Sequence, residues 1–176
     1  MRAGIGVAPD QPSPAERSAA VKRGTTTGTN ARPERKGDRT LLLIEQQGLT
    51  NLRVLHGDAL DLIMRRLQPG SLREILVFFP DPWPKARHHK RRLVRPEFAA
   101  AVVRVLEPEG RLHLATDDRE YAQVMREVLE GRPELTCTHD GARVPARPRT
   151  RYELAGERAG RHAVDLVYRF AAPSEV

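Results

Sequence analysis

The stretch Phe78-Phe79-Pro80-Asp81-Pro82-Trp83-Pro84-Lys85-Ala86-Arg87-His88-His89-Lys90-Arg91-Arg92 decides how the rest of the chain is read. It continues the apolar run Ile75-Leu76-Val77-Phe78-Phe79, which is short, β-branched and aromatic and reads as a strand buried on both faces of a parallel sheet. Pro80 stops that strand. Prolines at 80, 82 and 84 fix φ and remove backbone donors, so Asp81, Trp83 and Lys85 ride on a stiff loop at the carboxyl end of the strand. In open α/β sheets that end is where ligands bind. A carboxylate, a large flat ring and an ammonium on one loop, followed by a cationic run, suit a planar base on a phosphate backbone.

The same alternation of strand and helix extends on both sides. Upstream, Leu41–Gln47 reads as the last turns of a helix closed by Gly48, Leu52–Leu55 as a short strand ending at His56-Gly57-Asp58, and Ala59–Leu67 as a helix stopped by Pro69-Gly70. Downstream, Pro96 opens a helix with Phe98, Val102 and Val105 on one face, ended by Glu107-Pro108-Glu109-Gly110. A strand Leu112–Thr116 and a helix from Asp118 to Leu129 follow. This order predicts an α/β fold with a doubly wound, mostly parallel sheet. The tail differs. Pro145 to Arg151 is a Pro/Arg loop, and Ala163–Phe170 alternates Val164, Leu166, Tyr168 and Phe170 with Asp165 and Arg169, the pattern of an antiparallel edge strand.

With 176 residues the chain is long enough for one domain with a real core. Its net charge of +7 favours a polyanionic partner, and the cations concentrate around 85–95 and 143–161. A GC-rich coding habit is the bland alternative, because Lys22, Lys36, Lys85 and Lys90 are the only lysines among many arginines. The single Cys137 excludes an internal disulfide and a cysteine-built metal site. His88 and His89 are adjacent with no third ligand in view, so no metal is expected. No apolar run approaches the length of a membrane span, which predicts a cytoplasmic protein with no membrane partner. The oligomeric state stays open, a monomer included. Residues 1–40 lack Phe, Trp and Tyr and are dominated by Arg, Pro, Gly, Ala and Thr, a composition expected to be disordered.

Several stretches together resemble the bacterial tRNA (guanine-N7-)-methyltransferases, S-adenosylmethionine-dependent enzymes of the class I, Rossmann-like fold. They are Gly48–Val54, His56–Ala59, Phe78–Arg92, Ala115-Thr116-Asp117, Arg149–Glu153 and Asp165-Leu166, and the likeness runs from about Leu41 to Phe170. The resemblance implies tRNA as partner, S-adenosylmethionine as cofactor, and an antiparallel C-terminal edge on the sheet. Its first strand, glycine-rich cofactor loop and the acidic residue ending its second strand should lie upstream of Leu41, yet residues 1–40 contain none of them. The expectation is therefore a partial methyltransferase domain over 41–176 with N-terminal strands missing or replaced, behind a disordered or non-homologous segment 1–40. Such a chain is expected to be a poor or inactive enzyme. A non-catalytic RNA-binding fragment is the alternative.

Guanine N7 presents an in-plane lone pair and becomes cationic on methylation, so its chemistry asks for alignment and for charge stabilisation more than for proton transfer. A carboxylate can accept hydrogen bonds from the guanine N1–H and 2-amino edge while its charge favours the cation. The resemblance assigns that catalytic role, next to the cofactor, to Asp81; a turn-shaping Asp is the alternative. It assigns cofactor binding to Asp58, which a helix N-cap would equally explain. It assigns substrate binding to Lys85, Asp117, Thr150, Arg151, Tyr152 and Glu153, with Asp117 alternatively capping the next helix. Trp83 either stacks on a base or covers the sheet end. Arg87, His88, His89, Lys90, Arg91, Arg92 and Arg95 read as a phosphate-binding patch or as a solvated surface.

Overall fold

Two parallel strands set the frame. The computed structural model of the chain describes residues 58–171 together with Gln46 and Gly48. The strand expected at Leu52–Leu55 and the segment 1–40 lie outside the described residues, whereas Gly48 has φ +62, as a helix-ending glycine should. Strand β1 (Leu72–Phe78) pairs in parallel with β2 (Leu106–Thr116), with Ile75 opposite Leu112 and Phe78 opposite Ala115. Strand β3 (Leu135–Ala142) and strand β4 (Val164–Phe170) complete a sheet of order β1-β2-β4-β3, in which β4 runs antiparallel to both of its neighbours. The sheet is thus mixed, with an antiparallel C-terminal side.

The expected helices appear with local reasons for their ends. Helix α1 (Ala59–Asp61) starts at Asp58 and widens into a π-helical turn over Leu62–Arg66, where a regular helix was expected. Arg104 holds the carbonyls that this turn leaves over, donating to Leu67 O at 2.9 Å and to Ile63 O and Met64 O. Helix α2 (Pro96–Val105) has its proline in the first turn and buries Phe98, Ala99, Val102 and Val105. Helix α3 (Arg119–Glu130) buries Tyr121, Met125 and Leu129. The two helices touch each other and pack on the sheet over a core that includes Ile75, Leu112, Leu114, Leu166 and Tyr168. Between α2 and the regular part of β2 the chain makes a bulge, where Glu109 has φ +66 and a Cβ at Gly110 would lie 2.6 Å from Glu107 O.

Three further features differ from the sequence expectation. Strand β3 was not anticipated. Strand β3 takes the outer position, so β4 lies between two strands, and Asp165, expected on the solvent side, has no exposed surface because His113 and Arg147 cover it. From Arg151, the last residue of the expected Pro/Arg loop, a helix α4 (Arg151–Arg158) runs on, started by a capping box in which Thr150 Oγ1 accepts from Glu153 N–H and the Glu153 carboxylate accepts from Thr150 N–H.

Candidate active site

The parallel register places the ends of β1 and β2 side by side, so the Asp81 loop and Thr116-Asp117-Asp118 leave the sheet at the same edge. Phe79 N–H donates to Ala115 O at 2.7 Å, tying the start of the loop to β2. Asp81 is half-buried, and backbone strain brackets it: Phe79 has φ +52 and Trp83 has φ +47. Left-handed backbone at an aromatic residue costs of order 1–3 kcal/mol and persists only where the surroundings enforce it. The enforcing group on the far side is Arg92. Its Nε–H donates to Pro82 O at 2.7 Å and a terminal nitrogen donates to Glu120 at 2.8 Å, while the guanidinium carbon lies 5.0 Å from the Tyr121 ring centroid. The hydrogen bond from Arg92 holds the Glu120 carboxyl below its usual range.

The basic run folds as a 3-10 helix over Ala86–Arg91. Arg87, Lys90 and Arg91 on it and Lys85 just before it are exposed, as a phosphate-facing patch requires. Arg92 does not belong to that patch: it is only 4 % exposed because Pro82, Glu120 and Tyr121 enclose it. Arg95 is half-buried and donates to Lys90 O at 2.9 Å, so its role too is partly internal. His88 sits edge-on to Trp83 with centroids 5.8 Å apart, and Arg91 lies 5.1 Å from the Trp83 ring. The Trp83 indole N–H is buried without an acceptor among the described residues. Trp83, Arg91, Arg92 and Leu93 line a pocket of about 290 Å³ together with Asp58 and Leu60.

Asp58 is the N-cap of α1, with one carboxylate oxygen, Oδ1, accepting from Leu60 N–H at 2.8 Å and Asp61 N–H at 3.2 Å. Both readings of Asp58 therefore meet at one residue: it caps a helix and it faces the pocket of Trp83, its Oδ2 free of hydrogen bonds among the described residues. Asp117 does not cap α3; Asp118 does, accepting from Tyr121 N–H at 2.8 Å. Asp117 instead accepts from Arg161 Nε–H at 2.8 Å, and a Cβ at Gly156 would lie 2.8 Å from the same carboxylate oxygen. Glycine at 156 leaves room for that carboxylate against α4, so Asp117 joins the end of β2 to the helix that carries the other candidate substrate residues.

On α4 the four candidates divide. Thr150 and Glu153 make the capping box, and Glu153 is 2 % exposed and paired with Arg147 at 2.7 and 2.8 Å. Arg151 and Tyr152 are exposed. Sequence reasoning missed a further set beneath these: Arg147, His113 and Asp165, all buried. The Asp165 carboxylate accepts from His113 Nε2–H at 2.9 Å, Val144 N–H at 3.0 Å and two Arg147 nitrogens at 2.8 and 3.0 Å. Burial alone would raise its pKa, but these donors outweigh burial and hold the carboxyl down at about 2 from an ordinary 3.8. Glu153 is likewise buried, and Arg147 and the Thr150 N–H keep it below its usual range.

Three comparisons bear on this site. Residues 34–166 match the family model described as "Putative methyltransferase". The tRNA (guanine-N(7)-)-methyltransferase of Paraburkholderia xenovorans (strain LB400) is 46% identical over 131 residues, covering 73% of this chain and 50% of that protein. The protein of the same name from Halorhodospira halophila (strain DSM 244 / SL1) is 47% identical over 136 residues, covering 73% and 58%. The chain thus spans about half the length of the curated relatives it matches. In fold it is similar to a SAM dependent methyltransferase from Aquifex aeolicus, with a TM-score of 0.50 at 12% identity over 76% of this chain and 63% of that one. The mixed sheet, the strained loop at its carboxyl edge and the family match agree, and the chain belongs to this methyltransferase family.

Proposed function

We propose that this chain carries the substrate side of an enzyme that transfers the methyl group of S-adenosylmethionine to N7 of a guanine in tRNA, acting in the cytoplasm, with residues 41–176 as its methyltransferase domain. The observation that carries this reading is Asp81, half-buried between two left-handed residues on a loop anchored at both ends, next to a cationic helix. A carboxylate held there can accept from the guanine N1–H and 2-amino group, turning N7 toward the methyl donor and favouring the cation that forms. Proton transfer is not needed at the reacting nitrogen. Lys85, Arg87, Lys90 and Arg91 supply phosphate contacts, and Arg151 and Tyr152 extend the substrate surface from α4.

The cofactor supplies an electrophilic methyl on a sulfonium. The residues present fit one side of it: Asp58 has one carboxylate oxygen committed to its helix and the other, unbonded among the described residues, available to an adenine amino group, and Leu60 and Trp83 give the pocket apolar walls. Asp81 is the second residue at which cofactor and guanine would meet.

Paired titrations test this function on the chain itself. Binding of tRNA that weakens steeply with salt, together with saturable S-adenosylmethionine binding that Asp58→Ala abolishes, is the expected result. Binding of tRNA without any cofactor binding would favour the non-catalytic RNA-binding reading. Failure to bind tRNA would remove the substrate assignment.

A further inference from the structure

Arg147 has an acceptor for each of its five N–H donors. Nε–H and one terminal nitrogen form a fork on Asp165 at 2.8 and 3.0 Å; the two terminal nitrogens form a second fork on Glu153 at 2.8 and 2.7 Å; and one donates further to Pro148 O at 3.2 Å. Its flat face is used as well. The guanidinium carbon lies 5.3 Å from the Phe78 ring centroid and 5.7 Å from that of Phe79, the two residues that lead into Pro80-Asp81. One buried side chain, 3 % exposed, thus touches the sheet through Asp165, the start of α4 through Glu153, and the root of the strained loop through both rings.

This arrangement is dearer than fold stability alone requires, because buried ion clusters gain little over apolar packing of the same volume. What they supply is direction: a planar fork engages two carboxylates and a ring face in one geometry that neither Lys nor an apolar side chain reproduces. We propose that Arg147 is a positioning residue that locks the Asp81 loop and the start of α4 into one rigid body, so that the carboxylate receiving the guanine and the Arg151–Tyr152 surface meet the same RNA in a fixed relation. The proposal rests on the tRNA guanine reading of the site. Arg147 itself touches no substrate; it acts through Phe78, Phe79 and Glu153.

Trp83 is the single tryptophan of the chain and lies on the loop, so its fluorescence reports loop order without any enzymatic activity. Arg147→Lys keeps the charge but cannot make two forks. At a temperature well below its melting point, this variant is expected to shift Trp83 emission to the red and to make it more accessible to acrylamide. Arg126→Ala, which removes a two-bond pair with Asp140 on α3 and β3, should leave both unchanged. Asp165→Asn is the second variant should Arg147→Lys fail to fold; it weakens one fork from inside the sheet and should move Trp83 in the same direction. In methyl transfer to tRNA, kcat should fall about tenfold or more while KM for tRNA stays nearly constant, the pattern of misplaced reacting groups. Unchanged Trp83 emission and quenching in folded Arg147→Lys and Asp165→Asn would overturn the proposal. A changed Trp83 signal in a protein whose wild type binds no tRNA would keep the positioning role and sink the tRNA reading instead.

Discussion

The loop around Asp81 and the cluster beneath it use arginine in opposite ways. On the 3-10 helix Arg87 is exposed with Lys85 before it and Lys90 after it, and Arg91 is exposed beside the Trp83 ring, so their charge lies where a polyanion can reach it. In the cluster Arg147 is enclosed by Asp165, Glu153 and two phenylalanine rings, and one residue after Arg91 the chain turns Arg92 inward to Pro82 and Glu120. A count of cations therefore describes the binding surface poorly. On the proposed reading, position relative to the sheet edge decides whether an arginine is offered to RNA or holds the platform that is.

The largest test of this division is Asp165→Ala. It leaves Arg147 and His113 buried without their carboxylate, so urea unfolding should show a loss of about 3–5 kcal/mol, whereas Arg91→Ala should stay within about 0.5 kcal/mol. A mild effect of Asp165→Ala would mean that water reaches the cluster. Next in size, Arg92→Ala should cost about 1–3 kcal/mol by leaving Pro82 O and Glu120 unpaired, with little change in the salt dependence of tRNA binding. Arg91→Ala should instead lower the slope of log K against log salt by about one, with little change in stability. Exchanged outcomes for these two neighbours would reverse the comparison.

Acid should find the cluster too. The Asp165 carboxyl is depressed in the fold, so its contribution is complete above the ordinary value near 3.8 and is lost as the pH falls through about 2. Unfolding followed from pH 5 to pH 2 should lose roughly 2 kcal/mol through this group, and Asp165→Asn should flatten that part of the profile. A smaller loss belongs to Thr150→Ala, which removes the capping bond to Glu153 N–H; about 1 kcal/mol in thermal unfolding is expected.

What the sequence disclosed follows from how strongly each element advertises itself. The run Ile75–Phe79 and the three prolines after it placed the loop, and Pro96 marked the start of α2, because apolar runs and proline act locally. Strand β3 was hidden: after Leu135 it reads Thr136-Cys137-Thr138-His139-Asp140-Gly141, mostly exposed, and backbone pairing with β4 orders it without a hydrophobic signal. Asp165 was misplaced for another reason: His113 and Arg147, both remote from it in sequence, cover its part of that face, while Arg169 on the same face stays exposed. Helix α4 did leave a signal. Thr150 and Glu153 have the spacing of a capping box, and the same two residues were read only as substrate contacts. The inward turn of Arg92 had no local mark, because its partners Glu120 and Tyr121 come from α3.

The most direct test of the account is single-turnover methyl transfer from labelled S-adenosylmethionine to tRNA, with protein in excess, comparing the wild type with Asp81→Asn and measuring tRNA affinity for both. Asn keeps the volume and part of the hydrogen bonding but removes the charge that favours the cationic guanine. The predicted result is slow transfer of label, confined to guanine N7, a rate that falls about a further 100-fold in Asp81→Asn, and nearly unchanged tRNA affinity. Label on another atom, equal loss of rate and affinity, or tRNA bound by the wild type with no transfer would contradict it.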